Sequence, residues 1–83
     1  MRPTASARTH AERMKDKLRE TVARNLLASR EAAGLSQRQL SELSNISQTY
    51  ISQVEQGKRN LTLDLLAQLA AHLGKTPVDL LSD

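Results

Sequence analysis

At 83 residues the chain has room for one small domain and one core. With a single aromatic (Tyr50), no Phe or Trp and 39% apolar residues, that core must be Leu, Ile, Val and Ala, which suits packed helices; zero Cys excludes disulfides, a thiolate zinc site and a cysteine nucleophile. The net charge of +3 is uneven: residues 1–19 hold six cations against two acids, and the remainder holds six against seven.

Residues 1–8, with Arg2, Pro3 and Arg8, show no periodicity and read as a flexible basic arm. A basic arm on an otherwise balanced domain points to a polyanion or to a solvated tail. Thr9 followed by Glu12 has the spacing of a capping box, and helix is expected from about residue 10. Ala11, Met14, Leu18, Val22 and Leu26 then recur at three- and four-residue steps as one apolar stripe. The stretch runs to Ala33 and stops at Gly34, as one long helix or as a short one joined to a core helix near Arg19. Packing into the core is expected from about Leu18. The division is therefore a basic N-terminal arm over 1–17, partly helical, and a domain over 18–83.

Ser36 with Gln39 forms a second capping box, which predicts a helix from Gln37 to about Leu43 with Leu40 and Leu43 inward. Ser44-Asn45-Ile46 breaks it, and Asn tolerates the left-handed conformation a break requires. Ser47 caps a helix from Gln48 to Gln56, with Ile51 and Val54 inward and Gly57 as its stop. After the polar loop Lys58-Arg59-Asn60, Thr62 caps a helix from Leu63 to Leu73, with Leu61 as a staple to Leu66. Leu65, Leu66, Leu69 and Leu73 supply its buried face, and Gly74 ends it. Thr76-Pro77-Val78-Asp79 starts a short fifth helix carrying Leu80 and Leu81. No alternating run is long enough for a strand. The class is all-α.

Two short helices across the three-residue turn at 44–46 form a helix-turn-helix unit, whose second helix enters the DNA major groove. Small or apolar residues are needed at the crossing, and Leu40, Ser41, Ile46, Ile51 and Val54 meet that need. The other face of the second helix holds Gln48, Thr49, Ser52, Gln53 and Gln56, with Tyr50 beside it. These are amides and hydroxyls, which pair with base edges and phosphate oxygens. An ordinary solvent face would be richer in Lys and Glu; over 48–56 the only ionised side chain is Glu55.

The stretch Leu35–Leu73, with Leu-Ser-Gln-Arg-Gln-Leu and Ser-Asn-Ile-Ser-Gln-Thr-Tyr-Ile-Ser-Gln-Val-Glu-Gln-Gly-Lys-Arg-Asn-Leu, resembles the lambda-repressor/Cro type (XRE-like) of transcriptional regulators. The resemblance reaches from about Val22 to Leu81. It implies a five-helix bundle that binds operator DNA as a two-fold dimer, here with an extended or additional N-terminal helix. Gln37 resembles the family's phosphate-binding glutamine, and Gln48, Thr49, Tyr50 and Gln53 fall where base-reading side chains lie. Ser52 joins them on the face. Arg30 and Glu55 match a family pair tying the first helix to the recognition helix. Ser41 stands where Ala is usual, Asn45 where Gly is usual, and Lys75 where an apolar residue is common.

Phosphate contacts are accordingly expected from Ser36, Gln37, Arg38, Gln56, Lys58 and Arg59. For Tyr50 two readings stand side by side: a DNA contact, or a ring packed on the domain edge. A homodimer is expected through Val78, Leu80 and Leu81 on the last helix. His10 and His72 are isolated, so no metal site follows; no cofactor, small-molecule ligand or catalytic constellation is evident. No apolar run is long enough for a membrane span, and no leader pattern suggests export, so the cytoplasm is the expected compartment. The reading is a non-enzymatic, sequence-specific double-stranded DNA-binding regulator on a palindromic operator, of the Cro-like repressor or restriction-modification controller type. The alternative is an antitoxin-like protein-interaction module, on whose docking face Leu, Met or aromatics would replace the Gln/Thr/Ser set.

Overall fold

The first helix forms because Thr9 closes its start: the threonine hydroxyl accepts from the Glu12 backbone N–H at 3.1 Å. In the computed structural model, which describes residues 8–83, this helix (α1) runs unbroken over His10–Ala32. The arm expected at Arg2 and Pro3 lies outside the described residues. The capping box expected at Thr9 and Glu12 is half made, since the Glu12 carboxylate turns to Arg8 at 3.5 Å. Arg8 itself is tied to α1 by Asp16 at 2.6 Å, and its carbonyl accepts from Arg13. It is therefore held on α1, and the expected loose arm does not include it.

At 1.5 Å per residue α1 is about 34 Å long, and its first three turns bury nothing. Burial begins at Thr21, Val22 and Ala23 and continues at Leu26. Leu18, expected as the first packed residue, is still exposed, as is Met14 before it. The apolar stripe thus runs off the end of the bundle.

Four shorter helices follow: α2 (Gln37–Ser44), α3 (Gln48–Glu55), α4 (Leu63–His72) and α5 (Pro77–Leu81). Each begins where a hydroxyl caps it, at Ser36, Ser47, Thr62 and Thr76, and the boxes Ser36/Gln39 and Thr76/Asp79 close reciprocally. Backbone and hydroxyl hydrogen bonds from Thr76 hold the Asp79 carboxylate below the usual carboxylate range. Each helix gives one large side chain that is essentially fully buried: Leu26, Leu40, Ile51, Leu69 and Leu80. Removing any of them to Ala would cost about 2–5 kcal/mol. Val22, Ile46, Val54, Leu66, Ala70 and Leu73 fill the space between, with Leu35, Tyr50, Leu61 and Leu65 against its edge.

Two expected inward or outward assignments are corrected. Leu43 is 56% exposed, and Ser44 takes the inner position. At 3.6 residues per turn, residue 44 lies about 40° from Leu40 and residue 43 about 60° on the other side. Ser44 can be buried because its hydroxyl donates to the Leu40 carbonyl at 2.7 Å and accepts from the Ile46 N–H at 3.3 Å. Leu80, expected at a dimer contact, is 1% exposed and belongs to the chain's own core. What holds α5 there is Asn25, whose amide donates to the Leu80 and Ser82 carbonyls at 3.0 and 2.6 Å. Thr21 adds a hydrogen bond to Asp83 at 3.1 Å.

Asn45, at the turn between α2 and α3, is the one non-glycine with positive φ among the described residues (φ 59°, ψ 28°). Asn45→Gly keeps that conformation available and is expected to leave the melting temperature nearly unchanged. Asn45→Val puts a β-branched side chain in a region costing roughly 1–2 kcal/mol and should lower stability by that amount. Equal melting temperatures for the two variants would remove the role given to this turn.

Candidate nucleic-acid interface

The crossing of α2 and α3 is set from inside and closed by a side chain. Leu40, Ile46, Ile51 and Val54 are buried between the helices, and the Ser41 hydroxyl donates to the Ile46 carbonyl at 2.6 Å. The small side chain at 41 therefore fits the crossing and also fastens the turn.

The Arg30–Glu55 pair fixes α3 against α1. The guanidinium of Arg30 holds the carboxylate of Glu55 with two bonds, from Nε at 2.7 Å and Nη2 at 2.9 Å, and its Nη1 reaches the Leu35 carbonyl at 2.8 Å. These side chains are only 11% and 4% exposed. Hydrogen bonding to Glu55 raises the Arg30 pKa, against a smaller opposing effect of burial. Glu55 is the only charge on α3, and here it faces inward with a partner. The outer face is left uncharged.

That face is a shallow polar depression of about 450 Å³. Gln48, Thr49, Ser52, Gln53 and Gln56 line it from α3 and its end, Gln37 from the start of α2, and Lys58 from the loop beyond. Gln37 donates one amide hydrogen to Glu55 at 3.0 Å, which leaves the second for an outside acceptor. Gln56 donates to the Ser52 hydroxyl at 3.0 Å. Gln48 and Gln53 have no internal side-chain partner among the described residues, so their donors and acceptors are free to pair with a ligand.

Lys58 is aimed by the backbone. Gly57 takes φ +73°, a conformation costly for other residues, and the Lys58 N–H then folds back to the Gln53 carbonyl at 2.9 Å. The loop is pinned further along by Asn60, whose side-chain oxygen accepts from Arg19 Nη2 at 2.7 Å and Nε at 3.2 Å. Its carbonyl accepts from the Tyr50 hydroxyl at 2.7 Å. Nothing local in the sequence marks Asn60 or Arg19 for this, because they lie 41 residues apart.

Four residues expected at the interface lie outside the depression. Tyr50 packs its ring against the core edge, with the Arg59 guanidinium 5.1 Å from the ring centre. The ring is packed on the domain edge, and its hydroxyl, expected in water on that reading, donates to the Asn60 carbonyl. Arg59 is correspondingly drawn toward that ring. Arg38 is exposed and pairs with Glu42 at 3.1 Å, and Ser36 is engaged in its capping box.

A family model described as helix-turn-helix matches residues 26–80. The chain belongs to the helix-turn-helix family. The resemblance to XRE-like regulators and the all-α bundle are thereby borne out. A protein from Haemophilus influenzae named an uncharacterized HTH-type transcriptional regulator is 42% identical over 59 residues, a match covering 71% of this chain and 60% of the relative's length. The control protein C.SmaI of Serratia marcescens is 40% identical over 65 residues, covering 78% of this chain and 77% of the relative. Among solved structures, the restriction-modification controller protein C.AhdI of Aeromonas hydrophila is similar with a TM-score of 0.71 and 35% identity, over 75% of this chain and 94% of that one. No helix among the described residues is long and apolar enough to cross a membrane.

Proposed function

We propose that the chain is a sequence-specific, double-stranded DNA-binding transcriptional regulator that works in the cytoplasm as a homodimer on a palindromic operator. The observation that carries this reading is the uncharged amide and hydroxyl face of α3, which shares one depression with Gln37 from α2 and Lys58 from the loop beyond. Amides and hydroxyls read base edges, whereas donors beside the helix anchor the phosphates that fix its register. The face carries no Leu or Met of the kind a protein-docking surface would use. Its chemistry is recognition by binding, without a catalytic step.

Among family members, the controller type is supported by the likeness to C.SmaI and C.AhdI; a Cro-like repressor shares the same architecture. The homodimer reading draws on exposed apolar surface at the C-terminal end, where Val78 and Leu81 remain accessible after Leu80 is buried. Two copies would present their recognition helices to half-sites one helical turn apart, about 34 Å centre to centre.

Selection of bound sequences from random duplex DNA is the direct test. The expected result is an enriched palindrome with half-sites one turn apart; recovery of unenriched sequence overturns sequence-specific reading. Salt dependence tests the phosphate contacts separately. Each contact steepens log K against log salt by about 0.9, so Lys58→Ala in a dimer should flatten the slope by about 2. An unchanged slope removes Lys58 from the phosphate set.

A further inference from the structure

An apolar groove of about 520 Å³ opens between α1, the loop after α3, α4 and α5, and shares no lining residue with the polar depression. Its floor is the core itself, reached at Val22, Val54 and Leu66. Leu18, Leu63 and Leu81 stand round the opening and are 47%, 80% and 39% exposed. The volume falls within the range of about 300–1,000 Å³ that small-molecule sites enclose.

Three cations line this groove and no acid does: Lys15, Arg19 and Arg59. They gather at one end. Lys15 lies one helical turn before Arg19 on α1, and Arg19 bonds Asn60, the neighbour of Arg59 in the chain. That end is where α1 begins to leave the bundle, and Val22 and the buried floor lie toward the other. Arg19 is already engaged, by Asp16 at 3.2 Å and by Asn60. Lys15 and Arg59 make no ion pair among the described residues. The Arg59 guanidinium rests over the face of Tyr50, a contact that leaves its N–H groups available. Uncompensated cations at one end of an apolar trough match an occupant that is anionic at one end and apolar along its length. DNA meets only half of that description, since a phosphate has no alkyl chain with which to cover Leu18 or Leu63.

We propose that the groove is a binding site for a free single-chain aliphatic carboxylate, whose head group pairs with Lys15 and Arg59 and whose alkyl tail lies past Leu18, Leu63 and Leu81 over the buried floor. The site is independent of the DNA-binding reading, because none of its residues belongs to the depression on α3. A cleft floored by the core admits one chain, whereas docking on a bilayer would use an amphipathic face laid flat on the lipid. The sequence marks no such ligand because the lining comes from four elements spread between residues 15 and 81.

Isothermal titration of the full chain with monomeric decanoate, without DNA, tests the site. One decanoate per chain is expected to bind saturably. Octanoate, two methylenes shorter, should bind about tenfold more weakly, as the loss of two buried CH₂ groups implies. Decyltrimethylammonium, with the same tail length and the opposite charge, should bind at least about tenfold more weakly than decanoate. Lys15→Ala and Arg59→Ala should each weaken decanoate roughly three- to tenfold, and Leu18→Glu roughly tenfold or more. Leu43→Glu, at an exposed leucine outside the groove, should leave binding unchanged. Because Tyr50 is the only aromatic residue and Arg59 lies over its ring, pairing of decanoate with Arg59 should also change the tyrosine emission along the same isotherm. Absence of saturable binding, or equal affinity for the ammonium probe, would overturn the proposal. So would binding to phosphatidylglycerol vesicles with no response to monomeric decanoate, which would give the groove to a membrane surface instead.

Discussion

Glu55→Ala is expected to lower the unfolding free energy by about 3 kcal/mol or more, a large part of the roughly 5–15 kcal/mol that holds a domain of this kind together. The reason is less the loss of an attraction than the state in which Arg30 is left. Its side chain is 11% exposed and bonded to Glu55 twice. Without the carboxylate it remains a desolvated cation with only the Leu35 carbonyl as partner. Replacing both partners should be far milder: Arg30→Met with Glu55→Leu removes the two charges together and fills the space, so most of the loss should return. The comparison separates the cost of an orphaned charge from the worth of the pair. Denaturant unfolding of the two single variants and the double variant provides it. If Glu55→Ala unfolds within 1 kcal/mol of the parent, the pair has no structural weight of the kind given to it here.

The same substitution should reach the interface. Gln37 is held by its hydrogen bond to Glu55, so the loss of the carboxylate frees the Gln37 amide from one fixed contact. Glu55→Ala should therefore weaken binding to all DNA sequences similarly, even at temperatures where the fold is intact.

The parts of this structure that could be read from the sequence are the local ones. Ser36, Ser47, Thr62 and Thr76 cap their helices because a hydroxyl needs only the backbone N–H three residues on. Asn45 was legible for the same reason, since its left-handed φ is a property of one residue and its turn. The resemblance added what locality could not, namely that Arg30 and Glu55 meet. What stayed hidden depends on distant partners. Asn25 clasps α5 across 55 residues, and through that clasp Leu80 turns into the core instead of outward to a second copy. Ser44 displaces Leu43 because a hydroxyl bonded to its own helix can be buried at little cost. The Tyr50 hydroxyl finds its acceptor in the Asn60 carbonyl, ten residues on and across a loop. In the candidate interface, residue types were legible and orientation was not. The Gln and Ser of α3 were marked by the shortage of charge, whereas the turning of Arg59 and Arg38 toward Tyr50 and Glu42 was not.

Gln48→Ala and Gln53→Ala are expected to change which DNA sequence is preferred, while Gln37→Ala changes only how tightly any sequence is held. The distinction follows from what each amide already does. Gln37 has one amide hydrogen committed to Glu55, which fixes its side chain from α2 against the last residue of α3 and leaves an N–H that can donate to a phosphate oxygen. Gln48 and Gln53 keep both donor and acceptor, the pair of groups that an adenine edge matches. A bidentate contact of that kind contributes about 1–3 kcal/mol of discrimination, and a homodimer makes it in each half-site, so the total per substitution is about 2–6 kcal/mol. Repeating the random-duplex selection with each variant reads this out. Gln48→Ala and Gln53→Ala should each relax the preference at symmetric positions, one in each half of the palindrome, leaving the other positions as strict as before. Gln37→Ala should enrich the same palindrome as the parent at uniformly lower affinity. Both recognition-helix variants selecting the parental sequence, with helix content unchanged, would mean that bases are read by other groups and that the depression on α3 only follows the backbone.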